Sequence, residues 1–376
     1  MASVSRMWKL AIAAGIFAVL IFLWNPLSPL IYSVRLASAL QKMASGEEMR
    51  HADVIENKVS RRKGDREYWA LTYRPANLSA KKALVLAPGI SELGCYHPRL
   101  VALSRFLASQ GLLVITPDIE EFRNFQISAE PINQLLIWHR EAETLYGAQH
   151  PRETGLAGVS YSGTLALIAA ANPAIRDRVA FVASIGAYHN LIRCTEQWLS
   201  TDSEDTAEFY PTKFYARWII MLAALDMLPA VEDRVLLKNS LFNLLLQKEV
   251  SQPARSLTSE GERWYRLATS KKIPSDSELA SAIEKFLAPR LYRQLDPESA
   301  LRELRCPVFL IHGAYDDLIP PEESVELHQR IPGSHLLISP FLTHTHPSDK
   351  KLSWKEKTAA VTDVLLFCYR FSRFIR

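Results

Sequence analysis

A chain of 376 residues that is 48% hydrophobic and 22% charged can build a substantial core, as one large domain with an insertion or as two smaller ones. A formal charge of +4 and the lack of any Lys/Arg block argue against a nucleic-acid partner. The cysteines Cys95, Cys194, Cys306 and Cys368 lie far apart with no CxxC or Cys/His cluster, so no metal or cofactor site is implied.

The N-terminus is apolar. Leu10–Trp24 holds no charge, Asn25 and Pro26 interrupt it, and Leu27–Val34 is again largely apolar. This predicts an uncleaved transmembrane anchor over residues 1–36. The rival reading is a cleavable leader processed at Ala37-Ser38-Ala39. That site lies well past the first apolar run, beyond Pro26, Pro29 and Arg35. Arg6 and Lys9 before the run, opposed by Arg35 and Lys42 after it, place the N-terminus in the cytoplasm and the rest of a single-pass chain on the periplasmic, extracellular or lumenal side. Polar residues 37–65 read as a juxtamembrane linker.

Glu67–Arg74 alternates and is aromatic, as a half-covered strand does. Ala83–Ala87 is a short buried strand ending in Pro88-Gly89, Pro98–Gln110 has a helical period closed by Gly111, and Leu112–Thr116 is the next strand. A loop and a helix over Ala129–Tyr146 lead to the strand Thr154–Val159.

That strand runs into Gly158-Val159-Ser160-Tyr161-Ser162-Gly163, and a helical pattern of small and apolar residues continues through Ala171. Strand, sharp turn with a serine, then helix is the context that exposes a nucleophilic hydroxyl. It also offers first-turn backbone N–H groups to a developing oxyanion. The usual pattern has glycine two residues after the serine; here Ser162 stands there, with Gly163 one further on.

Val179–Ile185 is a further strand, and the alternation so far implies crossovers in a mostly parallel sheet. Between Tyr188 and Arg305 the rhythm breaks into helices at Tyr215–Leu228, Val231–Leu246, Glu260–Ser270 and Ser277–Leu287. It resumes with a strand at Pro307–His312, a helix at Glu322–Arg330, a strand at His335–Ile338 and a final helix at Trp354–Phe374. The expected division is an anchor over 1–36, a linker over 37–65, a core over 66–189, a helical cap over 190–304 and the rest of the core over 305–376. The aromatic, arginine-bearing end from Phe367 onward either lies at a headgroup surface or is the last packing helix.

Three local patterns occur in order, with the cap between the first two and the third: Ala87-Pro88-Gly89-Ile90, Gly158-x-Ser160, and His312-Gly313-Ala314-Tyr315-Asp316 followed by His344. Over roughly residues 66–370 the chain therefore resembles an α/β-hydrolase with a helical cap. The resemblance implies a mostly parallel α/β sheet and a Ser-His-Asp triad. Ser160 would be the nucleophile, Asp316 the acid (Asp317 the alternative) and His344 the base (His346 the alternative). It also implies an oxyanion hole from the N–H groups of Ile90 and Tyr161, although Pro88 stands where the family often has His. The implied activity is that of a serine hydrolase on carboxylic esters, needing neither cofactor nor metal. The expected anchor and apolar cap favour a hydrophobic or lipid-like ester and a membrane partner. The same machinery would serve amides, thioesters or acyl transfer. An alternative of another class, a non-catalytic binding scaffold, is favoured only by Ser162.

Overall fold

The computed structural model describes residues 53–77, 80, 82–146, 153–199, 211–250, 257–269, 277–342 and 352–375, together with residues 34, 35 and 38. An antiparallel hairpin comes first, β1 (Val54–Lys63) and β2 (Arg66–Pro75), turning at Gly64 with φ +61°. Residues 54–63, read from the sequence as linker, are thus an edge strand. Their charges hid it: Glu56, Lys58, Arg62 and Lys63 face outward, which is how an edge strand avoids pairing with other chains.

Six more strands follow: β3 (Lys82–Ala87), β4 (Leu112–Asp118), β5 (Thr154–Val159), β6 (Val179–Ile185), β7 (Val308–Gly313) and β8 (His335–Ser339). They complete an eight-stranded sheet in the order β1-β2-β4-β3-β5-β6-β7-β8. Strand β2 meets β4 antiparallel and every later pairing is parallel. The inner strands are almost wholly buried because helices cover both faces, so they read as continuous apolar runs.

One face packs on α1 (Pro98–Ser109) and on the C-terminal helix, while the other packs on α2 (Glu130–Tyr146) and α3 (Tyr161–Ala170). Strand β6 is followed by the cap helices α4 (Leu191–Leu199), α5 (Pro211–Ala223), α6 (Val231–Leu245), α7 (Ser259–Thr269) and α8 (Ser277–Leu287). Their apolar faces join the same buried cluster as α2 and α3. Helices α9 (Pro321–Arg330) and α10 (Trp354–Ile375) close the chain. On α10, Phe367, Phe371 and Phe374 surround Phe309 of β7 at ring distances of 5.7, 5.0 and 5.4 Å. The aromatic C-terminus is therefore the last packing helix, each buried ring contributing roughly 1.5–3 kcal/mol. Strand order, antiparallel second strand and insertion after β6 together make this the α/β-hydrolase fold with a helical cap.

The membrane expectation is corrected. Among the described residues no helix is long and apolar enough to cross a membrane. The longest, α10, has 22 residues but carries Lys355, Glu356, Lys357, Asp363, Arg370 and Arg373, which a bilayer interior would not accept. The predicted span lies, apart from Val34 and Arg35, outside the described residues. The transmembrane anchor, the single-pass placement outside the cytoplasm and the membrane as partner are therefore not retained.

Candidate active site

The turn at Ser160 is built by steric necessity. Ser160 adopts φ +60° and ψ −132° as the N-cap of α3, a conformation that non-glycine residues hold only when their surroundings enforce it. Its N–H donates to the Ile185 carbonyl at 2.6 Å, and its own carbonyl accepts from Gly163 N–H at 2.8 Å. A Cβ on Gly158 would lie 2.1 Å from the Ser162 carbonyl oxygen, so only glycine lets strand and helix approach this closely.

The substituted position is explained by its bonds. The Ser162 side chain is fully buried and its Oγ accepts from Val159 N–H at 2.9 Å. The carbonyls of Ala87 (3.2 Å) and Val159 (3.0 Å) are both within reach of its single proton. Serine here fastens the elbow to β3. Gly163 takes over the close approach, for a Cβ there would come within 2.8 Å of Ser184 Oγ.

Beside the elbow, the end of β3 turns at Pro88-Gly89-Ile90. A Cβ on Gly89 would stand 3.6 Å from Ser160 Cβ, which places this turn directly against the serine. Arg123 supports the loop beyond: it pairs with Asp118 at 2.8 Å and packs under Gly94, where φ is +47°. Asp118, at the end of β4, thus holds a turn.

Tyr161, next to Ser160, is buried. Its hydroxyl donates to the Ser128 carbonyl at 3.0 Å, its ring stacks on Tyr188 at 5.8 Å, and burial holds its phenol well above the ordinary pKa. The side chain is thereby committed to structure, so what the residue presents towards Ser160 is its backbone.

Strand β7 delivers Asp316. Its Oδ1 accepts the N–H groups of Leu318 (3.0 Å) and Ile319 (2.9 Å), which fixes the carboxylate's rotation, and its Oδ2 lies 3.4 Å from His312 Nε2. His312 is buried, with Nε2 2.8 Å from the Ile319 carbonyl and Nδ1 2.6 Å from Ser324 Oγ. A carbonyl only accepts, so Nε2 carries a proton towards Ile319, while Nδ1 shares a hydrogen bond with the Ser324 hydroxyl. His312 therefore braces the acid loop. Asp317 is half-buried and does not line the cavity.

Ser160, Tyr161, Ile90 and Asp316 line one cavity of about 720 Å³. Cap residues Trp198, Tyr215, Ile219 and Leu245 form its apolar roof, and His97 and Arg99 reach its wall near the β3 turn. His97 also caps α1, accepting from Arg99 N–H at 3.3 Å, and burial lowers its pKa. The two candidate bases, His344 and His346, lie outside the described residues. The sequence marks Tyr215 only as the start of a cap helix, and Trp198 not at all. Their hydrogen-bond partners are backbone carbonyls far away in the chain, for which no local pattern exists.

No protein-family model matches the sequence, and no curated protein matches it. Solved structures do. The acylaminoacyl peptidase of Pyrococcus horikoshii is similar at 14% identity with a TM-score of 0.47, over 86% of this chain and 41% of its own. A cold-adapted esterase from an Arctic intertidal metagenomic library is 12% identical with a TM-score of 0.42, over 85% of this chain and 97% of its own. Est1E from Butyrivibrio proteoclasticus is 16% identical with a TM-score of 0.44, over 84% of this chain and 99% of its own. The chain thus spans 41% of the length of the peptidase. The fold assignment rests on the strand order and the elbow described above.

Proposed function

We propose that this chain is a serine hydrolase that cleaves carboxylic esters with a hydrophobic acyl group. The observation that carries the reading is Ser160 at φ +60° between β5 and α3, opening onto the same cavity as Asp316. Ser160 holds this conformation, at a cost of about 1–3 kcal/mol, where its side chain lines the cavity beside Asp316.

In this reading Ser160 Oγ attacks the ester carbonyl while His344 takes its proton, with His346 as the alternative base. Asp316 orients the imidazole and stabilises it once protonated. The N–H groups of Ile90 and Tyr161 receive the oxyanion. As the tetrahedral intermediate collapses, the C–O bond breaks and the alcohol leaves with the proton from the imidazolium. Water, deprotonated by the same base, then attacks the acyl-enzyme and releases the acid and Ser160. The roof of Trp198, Tyr215, Ile219 and Leu245 favours an apolar acyl chain over a sugar or a peptide. Ser162, the one feature that favoured a non-catalytic scaffold, is accounted for by its hydrogen bonds to the elbow and β3.

The test is fluorophosphonate labelling read by intact mass, followed by a panel of 4-nitrophenyl esters of graded chain length. A single adduct on the wild type that is lost in Ser160→Ala, with turnover lost in both Ser160→Ala and His344→Ala, is expected. Full labelling of folded Ser160→Ala would sink the assignment. Turnover retained in His344→Ala but lost in His346→Ala would move the base.

A further inference from the structure

Two cap side chains reach the backbone of the two loops that carry the candidate site. Tyr215, on α5, donates its phenol O–H to the Ile90 carbonyl at 2.9 Å. Trp198, near the end of α4, donates its indole N–H to the Leu318 carbonyl at 2.6 Å, and Leu318 N–H in turn binds Asp316 Oδ1 at 3.0 Å. Both aromatic residues line the cavity onto which Ser160 opens.

Each donor is itself held. The Tyr215 ring meets Phe125 edge-on at 6.0 Å, and Phe125 packs against Phe242 of α6 at 5.7 Å. The Trp198 carbonyl accepts from Nε of Arg217, a fully buried guanidinium that also lies over the Phe214 ring at 4.8 Å. The cap thus presents two donors whose positions are fixed by packing, Tyr215 against Phe125 of the core and Trp198 through Arg217 of the cap itself.

We infer that Tyr215 and Trp198 are positioning residues through which the cap sets the geometry of the oxyanion turn and of the acid loop. This rests on the roles proposed above for Ile90 and Asp316. The Ile90 N–H lies between Gly89, which neighbours Ser160, and the Ile90 carbonyl, which Tyr215 holds, so the far end of that short segment is pinned by the cap. An oxyanion donor works by being in place before charge develops, and a loop free to rotate would have to reorganise during the reaction. At the other loop, Trp198 fixes the peptide after Leu318 while Asp316 takes the N–H before it. The cap is therefore part of the catalytic scaffold as well as the roof of the acyl pocket.

The experiment uses the full chain with Tyr215→Phe, which keeps the ring and removes only the hydroxyl, and Trp198→Phe, which removes the indole N–H. In Tyr215→Phe, kcat on a short 4-nitrophenyl ester is expected to fall about tenfold, less than the loss of an oxyanion donor itself. KM should stay within about twofold. Affinity for a trifluoromethyl ketone, which binds as a tetrahedral adduct, should fall in parallel with kcat while that for the product carboxylate stays level. In Trp198→Phe the acid limb of the kcat/KM profile is expected to move to lower pH, because a less firmly held carboxylate stabilises the imidazolium less.

Unchanged kcat and ketone affinity in Tyr215→Phe, or a loss confined to KM, overturns the inference for the oxyanion turn. A Trp198→Phe profile coincident with wild type overturns it for the acid loop. Ser160→Ala separates the levels. If that variant still turns over ester, the underlying reading fails as well; if it is inactive while both aromatic variants behave as wild type, this inference alone fails.

Discussion

The hydroxyl of Ser162 lies 3.2 Å from the carbonyl oxygen of Ala87, so the helix that follows the elbow is tied to the end of the neighbouring strand. The same oxygen accepts the Val159 N–H at 2.9 Å, in a position closed to water. Ser162→Ala leaves that N–H without its partner and is expected to cost about 1–3 kcal/mol of stability. Ser162→Gly restores the residue usual at this turn but loses the same bonds, so it should destabilise as well. Both should still label at Ser160. Chemical denaturation of the three proteins checks this, and equal midpoints would remove the hydroxyl from the account.

Asp316 and Asp317 are adjacent in sequence and opposite in setting. Asp316 is buried on the cavity wall with two backbone N–H groups on Oδ1, whereas Asp317 is half-buried and off the wall. An asparagine at 316 can still accept both N–H groups, so Asp316→Asn should fold while losing about 10³–10⁴-fold in kcat, as expected when a triad acid can no longer hold the charged imidazole. Asp317→Asn should leave kcat within about twofold of wild type. The reverse ranking would exchange their roles.

Much of this arrangement could be read in the sequence, for physical reasons. The inner strands β3, β5, β6 and β7 announce themselves because burial on both faces leaves unbroken apolar runs. The cap helices α6, α7 and α8 begin and end within a residue of their expected bounds, α7 and α8 because each is clearly amphipathic. The elbow is legible because only small residues permit it. Strand β1 was not, since an edge strand with charged side chains has little alternation to detect. The membrane anchor is not retained because no helix among the described residues is long and apolar enough to span a bilayer, and an apolar run alone does not fix where a segment goes. The bonds of Tyr215 and Trp198 end on backbone carbonyls, which every residue has, so composition carries no trace of them.

His139 predicts a pH effect on stability that is separate from catalysis. It lies on α2, fully buried, with nothing but the Thr154 backbone among the described residues to bind its ring. Burial, only partly offset by the nearby Thr154 backbone, pushes its pKa from 6.5 down to about 4. Below pH 6.5 the unfolded chain takes up a proton that the native chain resists. The contribution is therefore intact above pH 6.5 and is lost as pH falls through about 4. The full loss is on the order of 3 kcal/mol. His139→Leu should flatten the stability profile in this window, measured by urea denaturation at steps of pH. A variant profile parallel to wild type would assign the acid lability to other groups.

Glu323 is where the cap is fastened to the core. This α9 carboxylate is 1% exposed, and its Oε2 accepts the N–H groups of His189 and Asn190, each at 2.7 Å. These lie just before α4, so Glu323 supplies from a distant element the anionic cap that a helix start favours. Its Oε1 receives Arg193 Nε at 2.6 Å, while Arg193 also reaches Glu326 at 2.6 Å, and these bonds raise the guanidinium pKa. Glu323→Gln keeps the shape but removes the charge and turns one acceptor into a donor facing other donors. A loss of about 1–3 kcal/mol is expected, mainly from the His189 and Asn190 N–H groups losing a charged acceptor, because Arg193 is 44% exposed and keeps Glu326. Arg193→Met in the Glu323→Gln background should cost less than in wild type, since the two act as one unit. Glu322→Gln, on the exposed side of the same helix, should be near neutral. Because α4 also carries Trp198, Glu323→Gln should lower kcat at temperatures where the protein remains folded, whereas destabilisation with unaltered kcat would confine the clasp to a structural role.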